Sequence, residues 1–137
     1  MNYWIITVAE PYCGYILRGM KTMEIRRRMP KELNLGDIIL IVRKGEKGHI
    51  VGACRVTSLI RESVSYFCNY RREEHRLSAT ALKEYAGDAR LLVGIGLKKI
   101  RLDTWSFYVK SLGFERSPQW FYQVRPEYQS TIDRVLK

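Results

Sequence analysis

The sequence is short of acidic residues: 14 Asp and Glu stand against 24 Lys and Arg, for a formal net charge of +10. A surplus of that size on a small chain sets up a positive field that attracts polyanions and speeds their encounter. Charge alone admits nucleic acid or an anionic membrane surface as partner, and a basic surface that merely keeps the protein soluble is the plain alternative. Histidine and cysteine are also scarce. His49 and His75 stand with Cys13, Cys54 and Cys68, and no Cys-x-x-Cys or His-x-x-x-His pair joins any of them. This spacing argues against a zinc site. An odd, scattered set of cysteines argues against a disulfide framework and for a reducing compartment, so a cytoplasmic protein with no metal and no cofactor is expected.

Long hydrophobic runs are missing as well. Ile38–Val42 and Leu91–Ile95 are the longest apolar stretches, far too short to cross a bilayer. The opening residues have no basic start, extended apolar run or small-residue cleavage site, so they do not read as a signal peptide. There is no internal repeat, low-complexity tract or Pro/Gly/Ser linker. What is present is 46% hydrophobic residues in 137, enough for a real core and the size of one domain spanning residues 1–137.

Local pattern divides the chain into short elements. Tyr3–Val8 is aromatic and β-branched and reads as a strand. Pro11 opens a helix carrying Tyr12, Tyr15 and Ile16, ending near Gly19. Thr22–Arg28 alternates, with Met23 and Ile25 on one side and Glu24 and Arg26 on the other, as a half-buried strand with a charged outer face would. After the turn at Gly36-Asp37, Ile38–Arg43 and His49–Leu59 form two strands of a hairpin around the Gly45–Gly48 loop. Arg61–Leu77 is polar and charged, as helix or loop. Ser78 is an N-cap for a helix with Ala79, Leu82 and Ala86 on one face, closed by Gly87. Arg90–Ile100 is a strand in which Leu91, Val93, Ile95 and Leu97 alternate. A loop or short helix over residues 105–112 precedes a strand at Trp120–Val124, and Pro126 starts a terminal helix bearing Tyr128, Ile132, Val135 and Leu136. Clustered short strands with a few small helices imply an α+β domain on a curved or closed sheet.

The segment richest in chemistry is Gly19 to Arg28. Glu24, Arg26 and Arg28 recur at every second residue and so project from one face, a row of guanidinium groups able to grip phosphate oxygens bidentately. Lys21 adds a point charge and Thr22 a hydroxyl. An ordinary solvated strand face with minor ion pairs is the bland reading of the same spacing. Aromatic residues form a second set: Trp105, Phe107, Tyr108, Trp120, Phe121 and Tyr122 lie among Lys110, Arg116 and Arg125. Exposed rings would stack bases while the cations hold phosphates, although most such rings fill cores. The run Arg71-Arg72-Glu73-Glu74-His75-Arg76 is mixed in sign and reads as a solvated helix face. Cys54 and Cys68 read as small buried residues.

The spacing Gly19-x-Lys21-Thr22-x-Glu24-x-Arg26 resembles the core motif of ASCH domains, relatives of the PUA, EVE and YTH folds. The likeness runs through the whole chain: the Pro11–Gly19 helix, Arg27–Pro30, Gly36-Asp37, Ile50–Val56, Ala89–Ile100 and Ser117–Tyr122 fall where the family has matching segments. The resemblance implies a PUA-like small mixed β-barrel with flanking helices and a cleft beside Lys21–Arg26. It also implies binding to RNA or action on modified bases, including ribonuclease activity. One branch deacetylates N4-acetylcytidine through Lys-Thr-x-Thr-x-Arg and a later glutamate. Here Glu24 replaces the catalytic threonine, with Glu73 or Glu74 as stand-ins for the later glutamate. A carboxylate cannot substitute for a hydroxyl nucleophile without a change of mechanism.

Two functional readings follow, with a basic protein-interaction domain as a weaker third. In the first, a binding module docks nucleic acid, RNA before DNA, around a modified or unpaired base. Lys21, Thr22, Glu24 and Arg26 line its cleft, Arg27, Arg28 and Arg43 hold the backbone, and Trp120 stacks a base. Glu24 would repel phosphate, so it fits better as acceptor for a base amino group. In the second, a metal-independent hydrolase acts on RNA or a modified nucleoside, with Lys21 stabilising negative charge and Glu24 as general base.

Overall fold

The computed structural model describes residues 1–104 and 106–136. Strand β1 (Tyr3–Val8) is followed by helix α1 (Tyr12–Leu17), β2 (Met23–Arg26), β3 (Ile38–Arg43) and the long β4 (Ile50–Ser63). Helices α2 (Val64–Asn69), α3 (Arg72–His75) and α4 (Ala79–Ala86) then lead to β5 (Leu91–Ile100), β6 (Tyr122–Gln123) and α5 (Gln129–Asp133). The sheet has six strands in the order β2-β5-β4-β3-β1-β6. β1 and β3 are parallel, which demands a crossover, and α1 with β2 supplies it. The other pairings are antiparallel.

Strand β4 makes the sheet curl. Its first half pairs with β3 and most of its length with β5, and the β4–β5 register shifts between Val56 and Ser58. A bulge of this kind bends the strand and raises its twist. The edge strand β2 is thereby brought round to β1, although three strands separate them in the sheet order. Arg26 Nη2 spans that seam, donating to the Thr7 carbonyl at 3.0 Å. The result is an α+β domain built on a small rolled sheet.

Alternation places the apolar side chains in separate layers. Trp4, Ile6, Ile39, Ile41, Cys54, Val56, Val93 and Ile95 fill the inside of the roll. Tyr3, Ile5, Ile38, Leu40 and Val42 point the other way, under Val109, Leu112 and Ile132 of the C-terminal segment. Met23, Ile25 and Leu92 pack beneath Phe67 of α2 and Leu82 of α4. Burying Phe67 or Leu82 fully contributes about 1.5–3 kcal/mol each. Gly94 permits that contact, because a Cβ there would lie 2.8 Å from Met23 Sδ and 3.1 Å from Phe67 Cε1. Asp37 is buried but fully used: it accepts from Trp4 Nε1 at 2.9 Å, Asn2 N at 2.8 Å and Asn34 N at 3.0 Å, so its role is to anchor the start of β3. Burial raises the Cys13 thiol to about 11 and the Cys54 thiol to about 12, which leaves both protonated and unreactive at neutral pH.

Several sequence expectations need correction. The strand expected over Thr22–Arg28 covers Met23–Arg26 alone, so Arg28 lies past its end and does not continue the row of Glu24 and Arg26. β5 does not alternate: Leu91 is exposed, whereas Leu92 through Leu97 are all buried. The strand lies between β2 and β4, with the interior core on one face and α2 and α4 on the other, and period-two polarity appears only where one face meets water. The strand expected to close at Leu59 runs on to Ser63, so the polar stretch from Arg61 begins as strand before it turns helical. The expected strand at Trp120–Val124 contracts to two residues, and the terminal helix is split into a 3-10 turn at Pro126–Tyr128 followed by α5. Helix α4 has the expected cap, with Ser78 Oγ accepting from Ala81 N at 3.1 Å. Among the described residues, no helix is long and apolar enough to cross a membrane.

Candidate nucleic-acid interface

The cleft is assembled where α1 hands the chain to β2. Gly19 takes φ +75°, a conformation side chains resist, and the N–H groups of Met20 and Lys21 both return to the Tyr15 carbonyl, at 2.8 and 3.1 Å. The reversal carries Lys21 inward. Only 2% of it is exposed. Its Nζ donates to the His75 carbonyl at 2.5 Å, faces Glu24 Oε1 at 3.6 Å and sits 5.3 Å from the centre of the Tyr12 ring. Arg26, two residues past Glu24 and on the same strand face, donates from Nε to Glu24 Oε2 at 2.9 Å and lies over the Phe121 ring at 5.6 Å. Each oxygen of Glu24 therefore faces a cation. Glu24 and Arg26 pair with Ile95 and Val93, both part of the interior core, so they occupy the inner face of the rolled sheet at its mouth. The charged outer face expected for β2 is thus an inner one, and Glu24 is 8% exposed. Burial lowers the pKa of Lys21 below the ordinary lysine range, opposed by Glu24 and reinforced by Arg26.

His75 holds this arrangement from behind. It is fully buried, with Nε2 2.9 Å from the Phe67 carbonyl, and its Nδ1 accepts from Leu77 N at 3.0 Å. These partners fix the neutral Nε2–H tautomer. Burial pushes its pKa below the usual value near 6.5. The unfolded chain thus takes up a proton before the folded one, so the stability contributed by neutral His75 is complete above pH 6.5 and declines as pH falls below it. A loss of up to about 1.4 kcal/mol per pH unit is expected in that window, read from urea midpoints between pH 7 and 5. A His75 imidazole resonance that titrates at an ordinary pH would contradict this.

The sequence candidates end up in different places. Lys21, Glu24 and Arg26 line a cleft of about 340 Å³ whose walls include Thr7, Tyr12 and Tyr85. Arg26, Arg27 and Arg28 line an adjoining hollow of about 520 Å³, with Tyr85, Gln119 and Trp120. Arg27 and Arg28 are exposed, and Trp120 is 46% exposed. Thr22 points to solvent and is tied through its N–H to the Glu74 carbonyl at 2.9 Å. Arg43 lies outside both hollows, 2.9 Å from Glu10 and 3.2 Å from Glu46. Glu74 pairs with Arg71 at 3.3 Å and Glu73 is exposed; neither lines the cleft. Of the aromatic set, Phe107 and Phe121 are buried, Tyr108 stacks on His49 and Tyr122 on Phe114, while Lys110, Arg116 and Arg125 are exposed. Trp105 lies outside the described residues. A wider hollow of about 690 Å³ beside His49, Arg101 and Asp103 shares no lining residue with the cleft or the arginine hollow, and its Arg101 and Asp103 are exposed rather than buried charges.

Tyr85 and Lys44 were not legible as site residues. Tyr85 projects from α4, its hydroxyl accepts from Arg27 N at 3.2 Å, and the Arg27 guanidinium lies 5.3 Å from its ring centre. Both reach the cleft from elements remote in sequence, and nothing in their local pattern marks them. Among the described residues, no group of three or more His, Cys, Asp or Glu side chains is arranged to hold a metal ion.

A rolled mixed sheet with flanking helices and a cleft at the β2 mouth defines a PUA-like fold. The ASCH domain model matches residues 6–102, and the chain belongs to the ASCH domain family. The fold is similar to that of ASCH from Zymomonas mobilis, with a TM-score of 0.83 at 19% identity over 98% of this chain and 96% of that one. The hypothetical protein PH0355 aligns over 72% of this chain and 99% of its own, with a TM-score of 0.56 at 20% identity. Protein PSPTO5229 from Pseudomonas syringae aligns over 96% and 97%, with a TM-score of 0.51 at 13% identity. No curated protein matches the chain in sequence.

Proposed function

We propose that the protein binds single-stranded nucleic acid, RNA in particular, by taking an unpaired base into the Lys21–Glu24–Arg26 cleft. The observation that carries this reading is a buried, ion-paired floor directly beside an exposed arginine surface. A carboxylate only accepts hydrogen bonds and repels phosphate, so Glu24 suits a base amino group, and a Lys21 proton left over from its protein partners suits a base carbonyl. Arg27 and Arg28, outside the cleft, suit the backbone. Fluorescence anisotropy with short labelled RNAs of each base tests the reading. Affinity should fall steeply with salt, and amino-bearing bases should bind better than uracil, with Glu24→Gln reducing that preference. No binding in dilute buffer, or affinity indifferent to salt, would defeat it.

Burial of Lys21 supports a second reading, a metal-independent hydrolase of RNA or of a modified nucleoside. An amine held out of water stabilises developing negative charge more strongly than a solvated one, with Glu24 as general base. Both Glu24 oxygens already face cations, which favours the binding role. Mass spectrometry of total RNA and modified nucleosides after incubation with the protein and a chelator separates the two: converted species support turnover, retained but unchanged species support binding.

A further inference from the structure

The cleft and the arginine hollow are not separate features. They share two residues, Arg26 and Tyr85, and Tyr85 lies where one passes into the other. Its place is fixed twice, by the hydroxyl accepting from Arg27 N and by the Arg27 guanidinium against its ring, yet the side chain remains 38% exposed. The two compartments differ in chemistry. The first has a buried floor in which a cation and an anion lie side by side, the environment of a group that both donates and accepts hydrogen bonds. The second has guanidinium groups and no carboxylate among its lining residues, and its wall carries Trp120, whose ring leans edge-on against the buried Phe121 at 5.4 Å. That contact holds Trp120 in place while leaving 46% of it open.

We propose that the two compartments form one site for a dinucleotide step of single-stranded RNA. One base enters the Lys21–Glu24 cleft, the linking phosphate lies on Arg27 and Arg28, and the neighbouring base stacks on Trp120. Tyr85 is the wedge that keeps the two bases apart. The order of parts follows that of a nucleotide chain, in which a base edge, an anionic link and a second flat ring succeed one another. A single nucleoside fills only the first compartment, and a free phosphate only the second. The inference rests on the reading of the cleft as a nucleic-acid site and deepens it by fixing the footprint and the separating residue.

The test is a length series measured by isothermal titration calorimetry on the full chain: a nucleoside, its monophosphate, a dinucleotide, a trinucleotide and a 12-mer, with ribose and deoxyribose sets run together. Affinity should rise by about tenfold or more at the second ribonucleotide, the size of one stacked base, and little at the third. Trp120→Ala should remove the rise, so that monophosphate and dinucleotide bind alike, and Tyr85→Ala should shrink it severalfold. Both side chains are substantially exposed, so both variants should fold, which circular dichroism verifies. Smooth growth of affinity with length, a step only in the deoxyribose set, or a step unaltered in both variants would overturn the footprint while leaving nucleic-acid binding in force. If no oligonucleotide of any length binds, the broader reading fails and this one with it.

Discussion

Replacing Glu24 with leucine should cost about 3–5 kcal/mol of stability, a large part of the roughly 5–15 kcal/mol that holds a domain of this size together. The carboxylate is the counter-charge for two cations, one of them almost wholly buried, and removing it leaves the buried Lys21 with the His75 carbonyl but no counter-charge, beside the like charge of Arg26. The melting temperature should fall by about 10 °C or more. Lys21 has a partial escape, because burial already lowers its pKa and it can shed its proton when the partner goes. Lys21→Met should also destabilise, since Glu24 keeps Arg26 but the His75 carbonyl loses its donor. The double variant should be less destabilised than the sum of the singles by at least about 1 kcal/mol. Additive effects in thermal or urea unfolding would show that the pair is uncoupled. This expectation replaces the bland reading from sequence, in which Glu24 sits on a solvated strand face and its ion pairs contribute little.

Reversing Arg27 and Arg28 to glutamate should weaken binding of a labelled RNA by about 100-fold at low salt, nearly independent of base identity. Each phosphate neutralised on a single strand contributes about 0.7 to the slope of log affinity against log salt, so losing the one linking phosphate that both arginines hold should flatten that slope by about 0.7. Both side chains are exposed, so the fold should survive. Glu24→Gln predicts the opposite pattern, an altered base preference with an unchanged slope, because Glu24 does not face the arginine hollow. If the double reversal left the slope as it was, the phosphate path would have to lie elsewhere on the molecule. Arg43 is a poor substitute, already held beside Glu10 and Glu46.

Much of the fold could be read directly from the chain. β1 and β3 match the strands expected at Tyr3–Val8 and Ile38–Arg43 to the residue, and Ser78 and Gly87 bracket α4 because capping and chain reversal are local chemistry. The alternation of Met23 to Arg26 on a strand is likewise set by neighbours in sequence, whereas a cleft beside it was implied only by the resemblance to ASCH domains. Where the sequence misled, the deciding contacts were distant. Leu91–Ile100 looked half-exposed because its helical cover, α2 and α4, comes from an earlier stretch that carries no sign of where it will pack. Cys54 and Cys68 read alike, yet Cys54 is fully buried inside the roll and Cys68 only partly so, on α2.

The sequence by itself determined the basic character, the short strands, the caps and the alternation that puts Glu24 and Arg26 on one side of β2. Which side that would be, it left open. Curling of the sheet at the Val56–Ser58 register shift made it the inner face at the mouth, closed against Thr7 by Arg26. Burial of Lys21, its bond to the His75 carbonyl, and the arrival of Tyr85 between two hollows follow from that closure. The physical reason is range. Propensity, capping and period act over a few residues, whereas desolvation of a charge depends on every segment that surrounds it, and those segments meet only when the sheet has rolled.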